Sequence, residues 1–385
     1  MLLDTPFPND LRVENEAHTL LEAGHEVHLF VVSFKKETPY EVWHGIHVYR
    51  WHVNEWVFKG LRISTARFPF YGMSWIRFLN HVDIIEKIEA IHTHDLPLAR
   101  VGYMISQKWQ IPWILDLHEN FPAMLDATGL TKKRWGGFFF SKKLWQNHES
   151  WAVAKADRVI LVVEEAMERF RRLGIYSEKF TIISNTPRTE LFQPSRGTGD
   201  KDRKMGMLYL GGFNKHRGLE TVIRAKPALR AEIPTLHLNL VGDGRIKKDL
   251  EKLAQDCGVE SSITFSGRIP LKEVPEVISE NDICLVPHYQ SEHTNTTIPH
   301  KLFQYMAMKK PVVVSDCNPL KRIVERGNAG VVFRSGDTES LIREVKILAD
   351  RSIRKRVGEN GYKIVMNQYN WNVDGKRLLD LYSEI

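Results

Sequence analysis

The sequence is poor in cysteine and contains no long uncharged hydrophobic run. It has 3 cysteines among 385 residues, Cys257, Cys284 and Cys317, which are odd in number and too far apart for a metal site. We therefore exclude a disulfide-rich secreted scaffold and expect reduced thiols in a cytosolic protein. No apolar stretch approaches the roughly 20 residues of a transmembrane helix, and the first residues do not resemble a secretory signal.

Low-complexity tracts and short-period repeats are also absent, which excludes a disordered chain or a repeat solenoid. What is present is typical of a globular protein, with 43% hydrophobic and 26% charged residues. A length of 385 residues exceeds one ordinary core and favours two domains. The net charge of +7 indicates an anionic partner, and nucleic acid, anionic lipid and a phosphorylated ligand all fit this charge.

Predicted strands and helices alternate along the chain, with one irregular break between Gln193 and Lys204 that is predicted to be a linker. The predicted strands are 27–33, 46–50, 90–93, 113–117, 158–163 and 180–184 before the break, and 207–210, 236–241, 263–266, 283–287, 312–315 and 330–333 after it. The pattern predicts an α/β protein with two Rossmann-like domains, residues 1–195 and 204–370, which bind ligands at the carboxyl ends of their strands. A last helix in residues 371–385 is expected to cross back and pack on the first domain.

Residues 298–316 form the most informative segment. Pro299 suits the first turn of a helix, apolar residues then recur at helical spacing, and Pro311 ends the helix. The β-branched run 312–314 predicts a buried parallel strand. The polar residues 294–297 therefore precede a helix N-terminus at the edge of a sheet, where a diphosphate binds readily.

Three glycine-containing turns follow predicted strands in the second domain. The glycines at 211–212 allow a ligand to approach the backbone, and Lys215 and Arg217 are placed to neutralise phosphate. A solvated basic turn is the alternative. The turn at 242–244 is a weaker signal, because it lacks the third glycine of a dinucleotide-binding fingerprint. The loop at 267–269 could contact a base edge, with solvent exposure of its arginine as the alternative.

In the first domain, His118 directly follows a predicted strand. A histidine there can donate to a sugar hydroxyl or to a developing charge, although a lone histidine is more often structural. His92 and His94 lie on another predicted strand, but without a recognisable third ligand they do not predict a metal site. Asn9 or Asp10 is expected to cap the helix that follows.

The order of several short motifs resembles glycosyltransferase family 4 over nearly the whole chain. The motifs are residues 4–8 with 12–13, 24–27, 116–119, 156–160, 211–212, 241–244 and 299–307. The resemblance implies the GT-B fold, in which two Rossmann-like domains face a cleft. It also implies a retaining enzyme that uses a nucleotide-sugar donor and requires neither a metal nor another cofactor.

The resemblance further implies roles for individual residues. His118 corresponds to the histidine that contacts the donor sugar near the reaction centre, and Arg217 to the basic residue that holds the donor diphosphate, so both are predicted to be catalytic. The predicted donor-binding residues are Gly211, Gly212, Lys215, Gly242, Asp243, Gly244, Gly267, Arg268, Ile269, Thr296, Thr297, Lys301 and Gln304. The predicted acceptor-side residues are Asn9, Asp10, Arg12 and Glu119.

The sequence departs from the family pattern at the donor site. Thr296 and Gln304 stand where the family has a pair of glutamates, and Gln304 offers the ribose one acceptor oxygen where a carboxylate offers two. We expect this hydrogen bond to be weaker by ~1 kcal/mol or more. Gly212 lies near the position where many members have a first phosphate-binding arginine, which leaves Arg217 and Lys215 for that task.

Residues 131–145 are strongly basic and aromatic. This mixture suits the surface of an anionic bilayer, whereas single-stranded nucleic acid and a partly buried helix with a basic face are alternatives. The predicted membrane-facing residues are Lys132, Lys133, Arg134, Trp135, Phe138, Phe139, Lys142 and Lys143, and similar residues elsewhere in the domain are Phe58, Lys59, Arg62, Arg67, Phe68, Phe70, Trp75, Arg77, Lys108 and Trp109. With the family resemblance, a membrane-bound, lipid-linked acceptor accounts for the patch better than nucleic acid does.

These observations favour a cytoplasmic glycosyltransferase, peripheral on the inner face of the membrane, that acts in surface polysaccharide or glycolipid synthesis. Its expected partners are a nucleotide sugar and a glycan or lipid-linked acceptor, and not nucleic acid. Because the paired glutamates are missing, a non-catalytic GT-B partner subunit that binds a nucleotide or glycan is the alternative. A GT-B nucleotide-sugar epimerase is less favoured, because no cluster of acidic residues is recognisable at the predicted cleft.

Overall fold

The computed structural model describes residues 1–8, 10–82, 88–127, 141–176, 178–194 and 204–385 of the chain. The chain forms two compact units. The first consists of Met1–Ser184 with Asp374–Ile385, and the second of Asn185–Val373. Each unit has one sheet, and its strands alternate with helices along the chain, which confirms the predicted pair of Rossmann-like domains.

The first unit has an eight-stranded sheet. Its strands are β1 (Leu2–Leu3), β2 (His28–Ser33), β3 (Tyr40–Trp43), β4 (Ile46–His52), β5 (Ile91–His94), β6 (Trp113–Leu117), β7 (Arg158–Leu161) and β8 (Phe180–Ile182). Their order is β3-β4-β2-β1-β5-β6-β7-β8, and the pairs are parallel except for the antiparallel β3–β4 hairpin. Every residue of β5 and β6 is buried, as expected of parallel strands that are covered on both faces.

The helices of the first unit connect these strands. They are α1 (Leu11–Glu22), α2 (Glu55–Ser64), α3 (Phe70–Leu79), α4 (Ala99–Trp109), α5 (Phe121–Ala127), α6 (Lys142–Lys155) and α7 (Glu164–Arg172). Within the described residues, no helix of the chain is both long and apolar enough to cross a bilayer.

The second unit has a six-stranded, fully parallel sheet. Its strands are β9 (Met205–Leu210), β10 (Leu236–Val241), β11 (Ile263–Ser266), β12 (Ile283–Val286), β13 (Val312–Ser315) and β14 (Gly330–Phe333). Their order is β11-β10-β9-β12-β13-β14, the arrangement of a doubly wound nucleotide-binding sheet. The strand order therefore reverses between β9 and β12.

The helices from the second unit onwards are α8 (Leu219–Glu232), α9 (Lys247–Asp256), α10 (Val274–Ser279), α11 (His300–Ala307), α12 (Asn318–Gly327), α13 (Thr338–Ile347), α14 (Arg351–Gln368) and α15 (Trp371–Tyr382). The residues of α15 from Asp374 onwards belong to the first unit. Ser184 marks the other end of that unit, and its backbone N–H donates to Asp374 Oδ2 at 3.2 Å. The last helix therefore returns to the first unit, as predicted.

The segment around α11 has the predicted structure. The apolar residues of α11 are buried on all sides, and β13 lies between β12 and β14 in the sheet. The hairpin formed by β3 and β4 was not predicted. Its turn has positive φ at both His44 (47°) and Gly45 (88°), and a histidine at the first of these positions is not the usual hairpin signal.

Candidate functional site

Ligands of doubly wound sheets bind at the carboxyl ends of the strands, where the strand order reverses. In the first unit the order reverses between β1 and β5, and in the second between β9 and β12. Most of the predicted site residues follow these strands or their neighbours. Each unit therefore presents its own candidate site at this edge.

His118 lies at the carboxyl edge of the first sheet, directly after β6. Its Nε2 is 3.0 Å from Asp116 Oδ2, and its Nδ1 is 3.6 Å from Asp95 Oδ2. The His118 backbone N–H also donates to Asp95 Oδ1 at 3.2 Å. Asp95 follows β5 with a left-handed backbone, at φ 67°, which is uncommon for a residue other than glycine. Two carboxylates thus hold the imidazole, which is 16% exposed.

Arg12 of α1 holds Asp116 in turn. Its Nε and Nη2 donate to the two carboxylate oxygens at 2.8 and 2.9 Å, and its Nη1 donates to the Ile183 carbonyl at 2.9 Å. The Arg12 side chain is only 1% exposed. A direct contact with an acceptor, which the sequence predicted, is therefore wrong for Arg12, because the guanidinium is buried on its partners. Arg12 instead positions Asp116 and, through it, His118.

The charges of this cluster decide what His118 can do. Burial alone would lower the pKa of His118, but the carboxylates of Asp95 and Asp116 outweigh it and raise the pKa to about 10. Burial would also raise the pKa of Asp116, but Arg12 and His118 hold it well below its usual range. At neutral pH His118 is therefore an imidazolium. It can donate a hydrogen bond to a ligand oxygen, and it is not a general base.

His92 and His94 of β5 lie in the same buried cluster. Contrary to the expectation that no further ligand is near, candidate ligand atoms of Glu16, His92, His94 and Asp116 all fall within 4.8 Å of one another. The guanidinium of Arg12, however, lies 3.1 Å from Glu16 and 2.8 Å from Asp116. Burial lowers the pKa of both histidines, to about 4 for His94. Arg12 thus already supplies the positive charge that the carboxylates of this cluster require.

The other predicted acceptor-side residues lie near the start of α1 and the end of β6. Asp10 caps α1 by accepting from the backbone N–H groups of Arg12 and Val13 at 3.1 and 3.3 Å. Glu119 is partly buried and follows His118. Asn9 lies outside the described residues.

The predicted membrane-facing segment lies mostly outside the described residues, which do not include Lys132, Lys133, Arg134, Trp135, Phe138 or Phe139. Lys142 and Lys143 begin α6, and Lys143 is exposed. Among the similar residues elsewhere, Phe58 and Trp75 are buried, and Arg62 pairs with the buried Asp4 at 2.5 Å. The membrane interpretation is therefore wrong for Phe58 and Trp75, whose side chains pack inside the unit, while Arg62 is one third exposed and is engaged by Asp4.

The same two helices do expose large apolar side chains, one of which, Phe70, is among the predicted residues. On α2 these are Trp56, which is 86% exposed, and Val57; on α3 they are Phe70 and Met73. Lys59 is also exposed on α2 and pairs with Glu55 one turn earlier at 2.6 Å. On these two helices Phe70 is exposed as predicted, whereas Trp56, Val57 and Met73 are exposed apolar residues that the sequence did not single out.

In the second unit, three successive turns are hydrogen-bonded to one another at the carboxyl edge of the sheet. The Gly211 N–H after β9 donates to the Val241 carbonyl at 2.9 Å, and the Gly242 N–H after β10 donates to the Ser266 carbonyl at 2.9 Å. Gly242 has φ +141°, and a Cβ there would lie 2.0 Å from the Gly211 carbonyl oxygen. Gly242 is therefore required for the contact between the turns themselves.

Arg217 and His288 follow the two strands at which the order of this sheet reverses. Arg217 ends a short 3₁₀ turn, Lys215–Arg217, and His288 lies just after β12. Arg217 Nη1 donates to His288 Nε2 at 2.9 Å. Burial, together with the charge of Arg217, holds the pKa of His288 well below its usual range. A neutral imidazole thus orients the guanidinium, and among the described residues no carboxylate forms an ion pair with it.

Lys301, in the first turn of α11, is a second cation at this edge. It is 8% exposed, and its Nζ lies 3.9 Å from the centre of the Tyr209 ring. Within the part of the chain that the structure describes, this Nζ has no hydrogen-bond partner. Burial and then the charge of Arg217 hold the pKa of Lys301 well below its usual range. The Tyr209 hydroxyl donates to the Gly212 carbonyl at 2.9 Å, which ties the ring to the glycine turn.

The loop before α11 is held by its own hydrogen bonds. Thr296 is buried, and its hydroxyl donates to the Glu292 carbonyl at 2.7 Å. Thr297 is partly buried at the end of this loop. Gln304 is buried three residues after Lys301 in the same helix, a spacing that places both residues on one face.

The other predicted donor-binding residues lie on the three connected turns. Gly212, Lys215, Asp243, Gly267 and Arg268 are exposed, and Gly211, Gly244 and Ile269 are partly exposed.

The sequence did not single out Tyr209, His216 or His288. A histidine just after a buried strand was the available signal for His288, and the ring of His216 lies 6.3 Å from it. Burial first, and then Arg217, lower the pKa of His216 to about 3, so this histidine is also neutral.

Comparison with protein families gives matches in both units. Residues 11–186 match a family described as "Glycosyl transferase 4-like domain", and residues 194–364 match "Glycosyl transferases group 1". Among curated relatives, the alpha-D-kanosaminyltransferase of Streptomyces kanamyceticus is 23% identical over 298 residues, which cover 74% of this chain and 73% of that protein.

Solved structures show the same fold. Sucrose-phosphate synthase from Thermosynechococcus elongatus superposes with a TM-score of 0.79 at 20% identity, covering 99% of this chain and 95% of that one. Anabaena HepE, solved in complex with UDP-glucose, superposes with a TM-score of 0.74 at 15% identity, covering 100% and 98%. At such low identity these likenesses show the fold alone.

Proposed function

Since the chain belongs to glycosyltransferase family 4 and has the GT-B fold, we propose that it transfers a sugar from a nucleotide-sugar donor to a glycan or lipid-linked acceptor, with retention of the anomeric configuration. One observation carries the proposal. The guanidinium of Arg217 is fixed by His288 at the reversal of strand order, where a doubly wound sheet binds its ligand. A fixed guanidinium that has no carboxylate partner among the described residues suits a diphosphate.

The donor would bind with its diphosphate against Arg217 and the N-terminus of α11. The structural neighbour HepE was solved with UDP-glucose, which supports a nucleotide sugar as the donor. When the bond between the sugar and the diphosphate breaks, negative charge develops on the leaving group. Arg217 and the backbone N–H groups of the helix N-terminus would stabilise this charge.

His118 would act on the sugar. As an imidazolium it can donate to a sugar hydroxyl or to the charge that develops near the reaction centre. The buried pair of Arg12 and Asp116 keeps its ring in place. His118 therefore binds and orients, in agreement with the role that the family resemblance implies.

The proposed chemistry needs neither a metal nor a carboxylate nucleophile. The two carboxylates nearest His118 are engaged, Asp116 with Arg12 and Asp95 with His118 itself. A leaving phosphate oxygen would instead take the proton of the acceptor hydroxyl on the same face of the sugar. The bond from the anomeric carbon to phosphate then breaks as the bond to the acceptor oxygen forms.

A lipid-linked acceptor at a bilayer surface is the second part of the proposal. Trp56 and Val57 on α2 and Phe70 and Met73 on α3 are exposed apolar side chains, and the basic segment 131–145 is close to them in composition. Aromatic and cationic side chains together suit an anionic membrane interface. Such a location supports a role in surface polysaccharide or glycolipid synthesis.

A ligand screen followed by a transfer assay tests the proposal. UDP, GDP, ADP, CMP and their sugars are first compared by thermal shift, because a ligand of the native state raises the melting temperature. The sugar nucleotide that binds is then offered with lipid-linked and free glycan acceptors, and the anomeric configuration of the product is read by NMR. Arg217→Ala should lower turnover by about 10²–10³-fold, whereas Arg343→Ala, an exposed arginine on α13, should not.

The outcomes separate the rival functions. Binding without transfer to any acceptor would favour the non-catalytic partner subunit. Conversion of the free nucleotide sugar without an acceptor would indicate an epimerase. Inversion of configuration would contradict the retaining mechanism, and the absence of any nucleotide binding would overturn the proposal.

A further inference from the structure

Lys301 is buried, and no carboxylate in the described part of the chain forms an ion pair with it. Its Nζ lies over the Tyr209 ring and has no hydrogen-bond acceptor among the described residues. The other groups that face it are the guanidinium of Arg217 and the imidazoles of His216 and His288, which burial keeps neutral. A buried ammonium in such surroundings is costly, and the group loses its proton unless an anion arrives.

The position of Nζ indicates which anion this is. A Cβ on Gly211 would lie 2.6 Å from Lys301 Nζ, so the amine occupies the space directly beside the bare glycine turn. Gly212, the next residue, stands near the position where many family members have their first phosphate-binding arginine. Lys301 reaches the same turn from α11, and a ligand that contacts this turn would also contact Nζ.

We propose that Lys301 is the second cation of the diphosphate site and that it takes up one proton from solvent when a diphosphate binds. This inference rests on the proposed function and adds to it a charge that is created only when the site is filled. The empty site holds a neutral amine beside Arg217, which avoids repulsion between two buried cations. In the bound site the Lys301 ammonium and the Arg217 guanidinium both donate to the phosphate oxygens.

Proton uptake gives the proposal a measurable signature. Isothermal titration of the protein with the nucleoside diphosphate chosen by the screen, in two buffers of different ionisation enthalpy, counts the protons taken up. At about pH 8 the terminal phosphate, whose second pKa is about 6, is already ionised and does not contribute. We expect an uptake approaching one proton and an affinity that falls by up to about tenfold per pH unit above neutrality.

Variants identify the group that takes up the proton. Lys301→Met should abolish the uptake and weaken diphosphate binding by about 10–100-fold, which is typical for the loss of a charged hydrogen bond, while binding of the nucleoside without phosphates stays unchanged. Lys248→Met, an exposed lysine on α9, is the matched control and should behave as the native protein. Lys301→Gln keeps a polar side chain and is tested as a second variant in case Lys301→Met does not fold. The melting temperature of each variant is compared with that of the native protein first.

The possible failures are distinguishable. If the native protein binds the diphosphate without proton uptake, or if Lys301→Met leaves the uptake and affinity intact, the inference about Lys301 is wrong while the proposed function survives. If no nucleotide binds either protein, the proposed function itself fails. A loss of nucleoside binding together with diphosphate binding would show that Lys301 shapes the site only through packing, and would also overturn the inference.

A second, independent observation concerns the first unit, at the edge of its sheet where β2 and β4 begin, opposite the edge that holds His118. Glu26 and His28 are two residues apart and therefore face the same side of the chain, and His47 of β4 pairs in register with His28 of β2. Glu26 Oε1 is 3.0 Å from His28 Nε2 and 3.7 Å from His47 Nε2. The two imidazoles are stacked, with their ring centres 4.9 Å apart.

The three candidate ligand atoms lie within 4.8 Å of one another, close enough to share one metal ion. Zn–N bonds of about 2.0–2.1 Å place neighbouring ligand atoms about 3.3–3.4 Å apart, which lies between the two observed distances. The other ring nitrogens are held by tyrosines, since Tyr40 Oη is 2.8 Å from His47 Nδ1 and Tyr49 Oη is 3.4 Å from His28 Nδ1. Such outer hydrogen bonds are what orients histidine ligands in metal sites.

The geometry points to a divalent zinc-class cation held by Glu26, His28 and His47, with water completing the coordination. The site would join β2 to β4 and is separate from the transfer chemistry. Titration of EDTA-treated protein with Zn²⁺ should show one site with a Kd of about 10⁻⁶ M or lower and a rise in melting temperature of several degrees.

His28→Gln and His47→Gln should each remove this site. His81→Gln alters a surface histidine outside it and is the matched control, which should bind zinc like the native protein. Zinc binding that survives in both site variants, or no saturable binding in the native protein, would overturn the assignment.

Discussion

Asp95→Asn should lower the pKa of His118 and thereby move the alkaline limit of activity. In the native protein that pKa is raised to about 10, and the charge of Asp95 is the largest single contribution to the rise. A single opposite charge nearby shifts a pKa by about 1–3, so His118 in the variant should titrate between about pH 7 and 9. The substitution is conservative, because asparagine has nearly the same shape as aspartate and removes only the charge.

The assay follows kcat and the His118 imidazole signal by NMR from about pH 6 to 11, the range that contains both expected titrations. Native activity should hold through neutrality and fall as the pH passes about 10, where the imidazolium loses its proton. The Asp95→Asn activity should equal the native value near pH 6 and fall earlier. Asp380→Asn, an exposed carboxylate on α15, should leave the profile unchanged.

Stability should follow the same titration. Because the folded pKa of His118 lies above its usual value of 6.5, its ion pairs stabilise the fold fully below that pH and lose this contribution as the pH rises to about 10. In Asp95→Asn this contribution to stability should be lost at a lower pH than in the native protein. A native His118 that titrates near 6.5, or an unchanged alkaline limit in the variant, would refute the reasoning.

Three further predictions follow from the first unit. His118→Ala should lower turnover by about 10²–10⁴-fold with the fold retained, and near-normal turnover would refute its assigned role. Arg12→Met should lower the free energy of unfolding by about 3–5 kcal/mol in urea titrations, because it removes the guanidinium that pairs with both oxygens of the buried Asp116; a change below about 1 kcal/mol would contradict this. Replacing both Trp56 and Val57 by serine should weaken sedimentation with anionic vesicles by several-fold, since apolar area leaves the interface, and unchanged sedimentation would remove α2 from the membrane proposal.

Local sequence signals predicted the fold well. The spacing of apolar residues and the two prolines around α11 predicted a helix followed by a buried strand, and both are present. These features depend only on residues close in the chain, where period and turn chemistry determine the structure. The β3–β4 hairpin was missed because its turn has histidine, and not the usual asparagine or aspartate, at the first position of positive φ. The flanking strands, and not the intrinsic preference of histidine, determine this backbone conformation.

The candidate site was less accessible from sequence. His118 was recognisable by its position after a strand, but its charge depends on Asp95 and on the pair of Arg12 with Asp116, which come from separate strands and a helix. The burial of Lys301 likewise depends on Tyr209 of another strand. Side-chain partners that are distant in sequence leave no local pattern, so neither protonation state could be predicted.

Composition also misassigned two aromatic residues, one on α2 and one on α3. Phe58 and Trp75 were grouped with a membrane surface because they lie among cations, yet both face the interior. A helix of about 10 residues has room for an apolar face towards the core and a few exposed aromatics on the other side. Only the structure shows that Trp56, two positions earlier than Phe58, is the exposed residue.

The backbone ladder of turns formed through Gly211 and Gly242 has an evolutionary consequence. Each loop is locked to the next by main-chain bonds that any sequence must preserve, so a change of nucleotide preference cannot come from reshaping one loop. It has to come from the side chains carried by this framework, such as those of Asp243 and Arg268, which are exposed. New base specificities would then arise by point substitution at such positions, on a main chain that stays the same.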